Sequence, residues 1–95
     1  MDIGIARHLK IPQLRLIAAI AEHGQLGLAA DELTVTQPAA SRMLADIEHT
    51  LGARLFERHA KGMLPTLIGR ALARRAHNML AVSYTHLTLP TILLV

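Results

Sequence analysis

The chain has 95 residues, of which 52% are hydrophobic and 18% charged, so it can form one small globular domain and is neither disordered nor fibrous. Its single Phe and single Tyr are too few for a protein that stacks unpaired bases on aromatic side chains, and the absence of Cys excludes disulfides and thiolate metal sites. The net charge of +3 favours an anionic partner.

Two helices are predicted in the first third of the chain. The first spans Ile11 to His23, because Pro12 suits an opening turn and Gly24 a closing position. Its apolar residues follow the helical spacing, namely Leu14, Ile17, Ala18 and Ala21. The second helix is short, roughly Leu28 to Thr34, and its small alanines allow a neighbouring helix to approach closely.

The third predicted helix has the clearest start. Thr36 is a good N-cap, Pro38 falls in the first turn, and Gly52 ends the helix. One stripe about 100° wide is apolar, and it consists of Ala40, Met43, Leu44, Ile47 and Leu51. The polar side chains near the start of the helix are Gln37, Ser41 and Arg42.

A small β-hairpin and a fourth helix follow. Hydrophobic pairs at 55–56 and 63–64 flank a polar turn with a Lys-Gly tip, which is typical of a short hairpin. Thr66 can cap the last helix. The apolar face of this helix consists of Ile68, Ala71, Leu72, Ala76, Met79 and Leu80.

Positive charge is concentrated in this second half. Residues 54–75 contain six basic residues and one acid, Glu57, whereas residues 31–48 contain four acids and one base, Arg42. A solvated basic face and an anion-binding face explain this pattern about equally well.

The tail from Ser83 to Val95 differs from the rest of the chain. It contains no Lys, Arg, Asp or Glu and mixes β-branched residues with a proline, so the helical period is expected to stop near Val82. The tail resembles vector- or adapter-derived translation, and we expect it to be non-native. A natural terminal strand is the alternative.

The second and third helices match the geometry of a helix-turn-helix that enters the major groove of DNA. Free backbone N–H groups and the helix dipole at the start of the third helix favour phosphate. Gln37 can pair with adenine and Arg42 with guanine or phosphate, while Ser41 is short enough to let the helix sit deep. An ordinary exposed, capped helix remains the alternative on these features alone.

Beyond the helix-turn-helix pattern, a longer sequence signature makes a resemblance to one family specific. The run LTVTQPAASR from Leu33 to Arg42 is followed by LG at 51–52 and by LFER at Leu55 to Arg58, with KGMLPT downstream. This combination resembles the LysR-type transcriptional regulator family, and the similarity covers Leu9 to about Leu80.

The resemblance implies a mostly α fold: a winged helix-turn-helix, with a three-helix core and a small β-hairpin wing, followed by a linker or dimerisation helix. We expect an N-terminal arm at 1–8, the DNA-binding domain at 9–66 and the linker helix at 67–82. It also implies a cytoplasmic bacterial homodimer that binds a double-stranded DNA operator without a cofactor. The small-molecule effector would bind a C-terminal domain that does not follow in this chain.

Family roles carry over to matching positions. The recognition-helix positions that contact DNA are Thr36, Gln37, Pro38, Ser41 and Arg42. The wing and backbone positions, which would contact phosphates, are Arg54, Arg58 and Lys61. The linker positions that would pair two subunits are Ile68, Ala71, Leu72, Ala76, Met79 and Leu80.

One departure concerns the segment Gln25-Leu26-Gly27, where the family usually has a hydroxyl residue, an aromatic and a capping Ser or Thr. We expect Gly27 to cap the second helix, at a cost of only a few tenths of a kcal/mol relative to Thr.

Three other functions fit less well. The six His residues show no i, i+4 pair, so solvated histidines are favoured over a metal site. No Gly-rich phosphate loop or nucleophile elbow supports an enzyme. Leu67 to Val82 is apolar on one side and Arg-bearing on the other, as a membrane-surface or partner-binding helix would be, but it lacks bulky aromatic anchors.

Overall fold

Four helices and one hairpin make up the computed structural model, which describes the backbone of residues 9–94 and the side chains of residues 9–81. The predicted N-terminal arm, 1–8, lies outside the described residues. The elements in chain order are α1 (Ile11–His23), α2 (Leu26–Leu33), α3 (Gln37–Leu51), β1 (Phe56–His59), β2 (Gly62–Pro65) and α4 (Leu67–Leu94). The predicted mostly α fold with a β-hairpin wing is confirmed.

Helix α1 is the centre of the core, because α2, α3 and α4 all pack against it. Three neighbouring helices require a wider apolar surface than one stripe. Accordingly, Leu16, Ala19 and Ile20 are buried together with the predicted Leu14 and Ile17. The predicted core position at 21 is wrong, since that alanine is exposed.

Helix α2 begins at Leu26 rather than Leu28, and Gln25, not Gly27, occupies its N-cap position. Leu26 is buried, which explains why the helix starts there although no polar side chain caps it. The helix ends at Leu33, and its C-cap Thr34 has a φ of 60° and a ψ of 42°, in the left-handed region. The N–H of Val35 donates to the Ala30 carbonyl over 3.0 Å, which closes the turn into α3.

Helix α3 follows its sequence prediction closely. The N–H of Ala39 donates to Thr36 Oγ1 over 3.2 Å, and Gly52 ends the helix with a φ of 68°. The apolar stripe faces the core: Ala40, Leu44 and Ile47 are buried, and Met43 and Leu51 pack against them half-buried.

The hairpin is antiparallel, with Arg58 opposite Met63 and His59 opposite Gly62. The end of the hairpin next to its tip is attached to the turn between α1 and α2, since the N–H of Met63 donates to the Gly24 carbonyl over 2.7 Å. A Cβ at Gly62 would overlap that same carbonyl oxygen, so the close approach requires a glycine.

Helix α4 begins against the hairpin. Thr66 Oγ1 accepts a hydrogen bond from the Gly69 N–H over 3.0 Å and donates to the Arg54 carbonyl over 2.6 Å. The predicted cap is therefore confirmed. Gly69 is buried, and a Cβ there would overlap the Leu55 carbonyl oxygen, so backbone meets backbone at this contact.

The backbone of α4 continues to Leu94, past Val82, where the helical period in the sequence was expected to stop. The β-branched residues of this stretch are only a few tenths of a kcal/mol poorer than alanine in a helix and its leucines are good helix formers, so weak periodicity alone does not end the helix. Pro90 is unfavourable in a helix interior by about 3 kcal/mol, and nothing in the structure explains its place there. The non-native origin expected for residues 83–95 stays a prediction. Within the described residues, no helix combines the length and the apolar character needed to cross a membrane.

Candidate nucleic-acid interface

The first turn of α3 is an exposed helix N-terminus without acidic residues. Thr36, Gln37, Pro38 and Ala39 are all exposed, and no acid of this turn opposes the partial positive charge of the free N–H groups. This end of α3 can therefore accept an anion or a polar edge from solvent.

The three side chains proposed for base contacts reach the surface of the molecule. Gln37 and Arg42 are exposed, and Ser41 is half-buried at the edge of a groove. None of them is packed into the core or covered by another described segment. Their chemistry, an amide, a guanidinium and a hydroxyl, matches the donors and acceptors that bases present in the major groove.

A groove of about 450 Å³ separates α3 from the hairpin. Ser41 and Glu48 line it from the helix, and Arg54 and Arg58 line it from the hairpin side. Residues that are well separated in the sequence thus meet at one surface. Two guanidinium groups next to α3 make this edge of the groove suited to an anionic partner.

Lys61 is exposed in the turn between β1 and β2, at the tip of the hairpin. Arg58 and His59 are exposed on β1, so further polar side chains lie close to the tip. The tip therefore carries a positive charge in solvent, near the turn between α1 and α2.

Glu48 holds the segment between α3 and the hairpin. Its Oε2 accepts hydrogen bonds from the N–H groups of Leu55, over 2.7 Å, and Phe56, over 3.4 Å. Leu55 is fully buried, so its N–H needs a partner within the protein. Sequence analysis counted Glu48 among the four acids of residues 31–48 and missed this role, since nothing local shows which backbone groups the acid meets.

The predicted pairing face of α4 is partly buried within the chain and partly exposed. Leu72 and Ala76 are buried within the chain, where α4 packs on α1, so they do not present a free surface. Ala71 and Met79 are exposed, while Ile68 and Leu80 are half-buried. Burial on α1 also removes much of the apolar face that a membrane-surface helix would need. An apolar face in a sequence does not reveal whether it meets its own chain or another one.

A cluster missed by sequence reasoning joins α1 to α2. His23 Nε2 lies 2.7 Å from Glu32 Oε1, and the possible ligand atoms of Glu22, His23 and Glu32 lie within 4.8 Å of one another. All three residues are exposed. The spacing of histidines along the sequence could not show it, because two of its members are acids and one of these comes from a different helix.

Comparison with known proteins identifies the fold and the family. The HTH-type transcriptional regulator GbpR of Azospirillum brasilense is 45% identical over 73 residues, which cover 77% of this chain and 21% of GbpR. The crystal structure of the CbnR_DBD–DNA complex aligns with a TM-score of 0.73 and 29% identity, over 92% of this chain and all of that one. The BenM_DBD complex with catB site 1 DNA aligns with a TM-score of 0.77 and 26% identity, over 90% of this chain and 96% of that one.

A match to a sequence family agrees with these similarities to individual proteins. Residues 11–70, which include α1, α2, α3 and both strands, match the family described as bacterial regulatory helix-turn-helix protein, lysR family. The chain spans about a fifth of the length of GbpR. This chain therefore belongs to the LysR family of bacterial regulatory helix-turn-helix proteins.

Proposed function

We propose that this chain binds double-stranded DNA in a sequence-dependent manner, as the DNA-binding part of a LysR-type transcriptional regulator. The observation that carries the proposal is the exposed N-terminus of α3, with Gln37 and Arg42 in solvent and Ser41 at a groove shared with Arg54 and Arg58. Structural neighbours that were crystallised as complexes with DNA support DNA as the partner.

In this proposal the first turn of α3 enters the major groove. Gln37, Ser41 and Arg42 contact base edges and set the sequence preference, while Thr36 and Pro38 bring the helix N-terminus close to the DNA. Arg54, Arg58 and Lys61 contact phosphates, which contribute most of the affinity and its dependence on salt but carry no sequence information.

Selection from a random duplex library at a stated salt concentration tests the proposal. The chain is expected to enrich a defined motif, and the enriched duplex should bind more tightly than a scrambled duplex of the same composition. Arg15→Ala is a matched control for interface arginines, because Arg15 is exposed on α1 and lines a different groove. Binding of scrambled and enriched duplexes with equal affinity would overturn the proposal.

We also propose that two copies bind one operator. The accessible part of the predicted pairing face is Ala71 and Met79 with the outer parts of Ile68 and Leu80. A symmetric pair would place two recognition helices in successive major grooves, so the motif should be an imperfect palindrome with half-sites roughly 34–36 Å apart.

Sedimentation equilibrium of the whole chain tests the pairing. Met79→Glu is expected to shift the protein towards monomer, because a charge on an apolar contact would lose its hydration. Ala21→Glu adds the same charge at an exposed position of α1 and should leave the association unchanged. Equal dimer content in the two variants would contradict the assignment of this face.

Effector sensing is assigned in this proposal to a further region of the whole regulator, working in the bacterial cytoplasm. Residues 9–81 would then bind DNA whether or not an effector is present.

A further inference from the structure

The side chain of Gln37 lies over the first turn of α2, above Gly27. A Cβ built on Gly27 would lie 3.3 Å from Gln37 Oε1 and 3.9 Å from Gln37 Cδ. The shorter distance is closer than ordinary van der Waals contact, so a side chain at position 27 requires the amide to move by a few tenths of an ångström. The amide therefore lies where a Cβ at position 27 would press on it.

The backbone conformation at position 27 does not require a glycine. Gly27 is the second residue of α2 and has helical geometry, unlike Gly24, Gly52 and Gly62, which have positive φ. In a helix, glycine is less favourable than any residue except proline. What Gly27 contributes at this position is the missing side chain.

We propose that Gly27 is a specificity-determining residue that acts through the position of Gln37. This inference rests on the proposed function, in which Gln37 contacts a base edge. Paired hydrogen bonds from an amide to a base depend on both distance and angle. A residue with a Cβ at position 27 displaces the amide away from α2, and the preference at the base pair that Gln37 contacts changes with it.

A double-mutant cycle tests the inference with four versions of the chain: unchanged, Gly27→Ala, Gln37→Ala, and both substitutions together. Each is titrated, at fixed salt, with the selected duplex and with duplexes changed at single base pairs. A well-formed pair of bonds discriminates between bases by about 5- to 150-fold, so a displaced amide should change the discrimination ratio at one base pair by about three- to tenfold. In the Gln37→Ala background, Gly27→Ala should change the discrimination ratio at no base pair.

Thermal unfolding of the four proteins separates this effect from helix stability. Alanine is the better helix former, so Gly27→Ala should raise the melting temperature of both backgrounds by a similar amount. Leu28→Ala, an exposed position of the same helix, is the control and should leave all discrimination ratios unchanged.

Two results overturn the inference alone: a motif that Gly27→Ala leaves unaltered, and a change in discrimination that is equally large without Gln37. A selection that returns no motif for the unchanged chain overturns the proposed function and this inference with it.

Discussion

The α2–α3 region and the hairpin–α4 region are held in place by different kinds of interaction. The turn between α2 and α3 is closed by hydrogen bonds between residues close in sequence, from Thr34 to Asp31 and from Val35 to Ala30. The hairpin and α4 are instead positioned by contacts between distant segments, at Gly24, Glu48 and Leu55. Local sequence signals thus specify the recognition helix, whereas the positions of the hairpin and α4 depend on tertiary contacts.

The largest expected effect is on the contact between α4 and Leu55, the residue before β1. Gly69→Ala places a Cβ on the Leu55 carbonyl and must separate two backbones, which should lower the free energy of unfolding by about 3 kcal/mol. Urea unfolding measures the change. Asn78→Ser, at an exposed position of the same helix and outside the proposed pairing face, is the control and should stay within about 0.5 kcal/mol. Equal stability of the two variants would show that the distant contact is not required.

Glu48→Ala removes the acceptor for two backbone N–H groups, one of them in fully buried Leu55. We expect a loss of roughly 2–3 kcal/mol in the free energy of unfolding, because a buried donor is left without a partner. Glu48→Gln keeps an acceptor oxygen and should lose less. The exposed Glu57→Ala is the control, and a similar loss there would mean that charge, not the hydrogen bonds, matters.

One substitution from each region separates base contacts from phosphate contacts. Arg42→Ala should weaken binding to the selected duplex by roughly 1–3 kcal/mol and reduce discrimination at one base pair. Lys61→Ala should weaken binding to every sequence about equally and lower the salt slope by about 0.9. Quantitative footprinting over a salt series measures both. If neither variant differs from Arg15→Ala, the binding surface has been assigned to the wrong residues.

The smallest expected effect lies in the turn between α2 and α3. Thr34 has a β-branched side chain in the left-handed region, which disfavours it, whereas asparagine tolerates that conformation. Thr34→Asn should therefore raise the free energy of unfolding by about 0.5–1 kcal/mol. Thr50→Asn changes the same atoms at an exposed helical position and should give no gain. A gain at both positions would exclude relief of local strain as the cause.

Sequence reasoning located α1 and α3 to the residue because their ends are set locally. Pro12 and Gly24 bound α1, and Thr36 and Gly52 bound α3. It placed the start of α2 too late, since burial of Leu26 determines that start in the absence of a polar cap. Caps act through neighbouring atoms and are visible in a sequence, whereas burial depends on the rest of the fold.

The candidate site was predictable as a set of residue types but not as a surface. The exposure of Gln37 and Arg42 follows from the helical period of α3. The groove that brings Ser41 next to Arg54 and Arg58 depends on Glu48 and on the hairpin register, which no local pattern encodes. The apolar face of α4 was recognised, but its division between α1 and solvent required the packing of the whole chain.

Leu55 connects the recognition helix to α4 through a single peptide segment. Its N–H is bound by Glu48 of α3, and its carbonyl accepts the Thr66 N–H over 2.9 Å beneath Gly69. The relative orientation of the two helices is therefore a property of residues 48–69 taken together. A chimera that exchanges α4 between two members of the family should therefore take this whole stretch from one parent. A junction inside it would combine the Leu55 carbonyl of one protein with the position-69 backbone of the other, and the close contact between them would not be preserved.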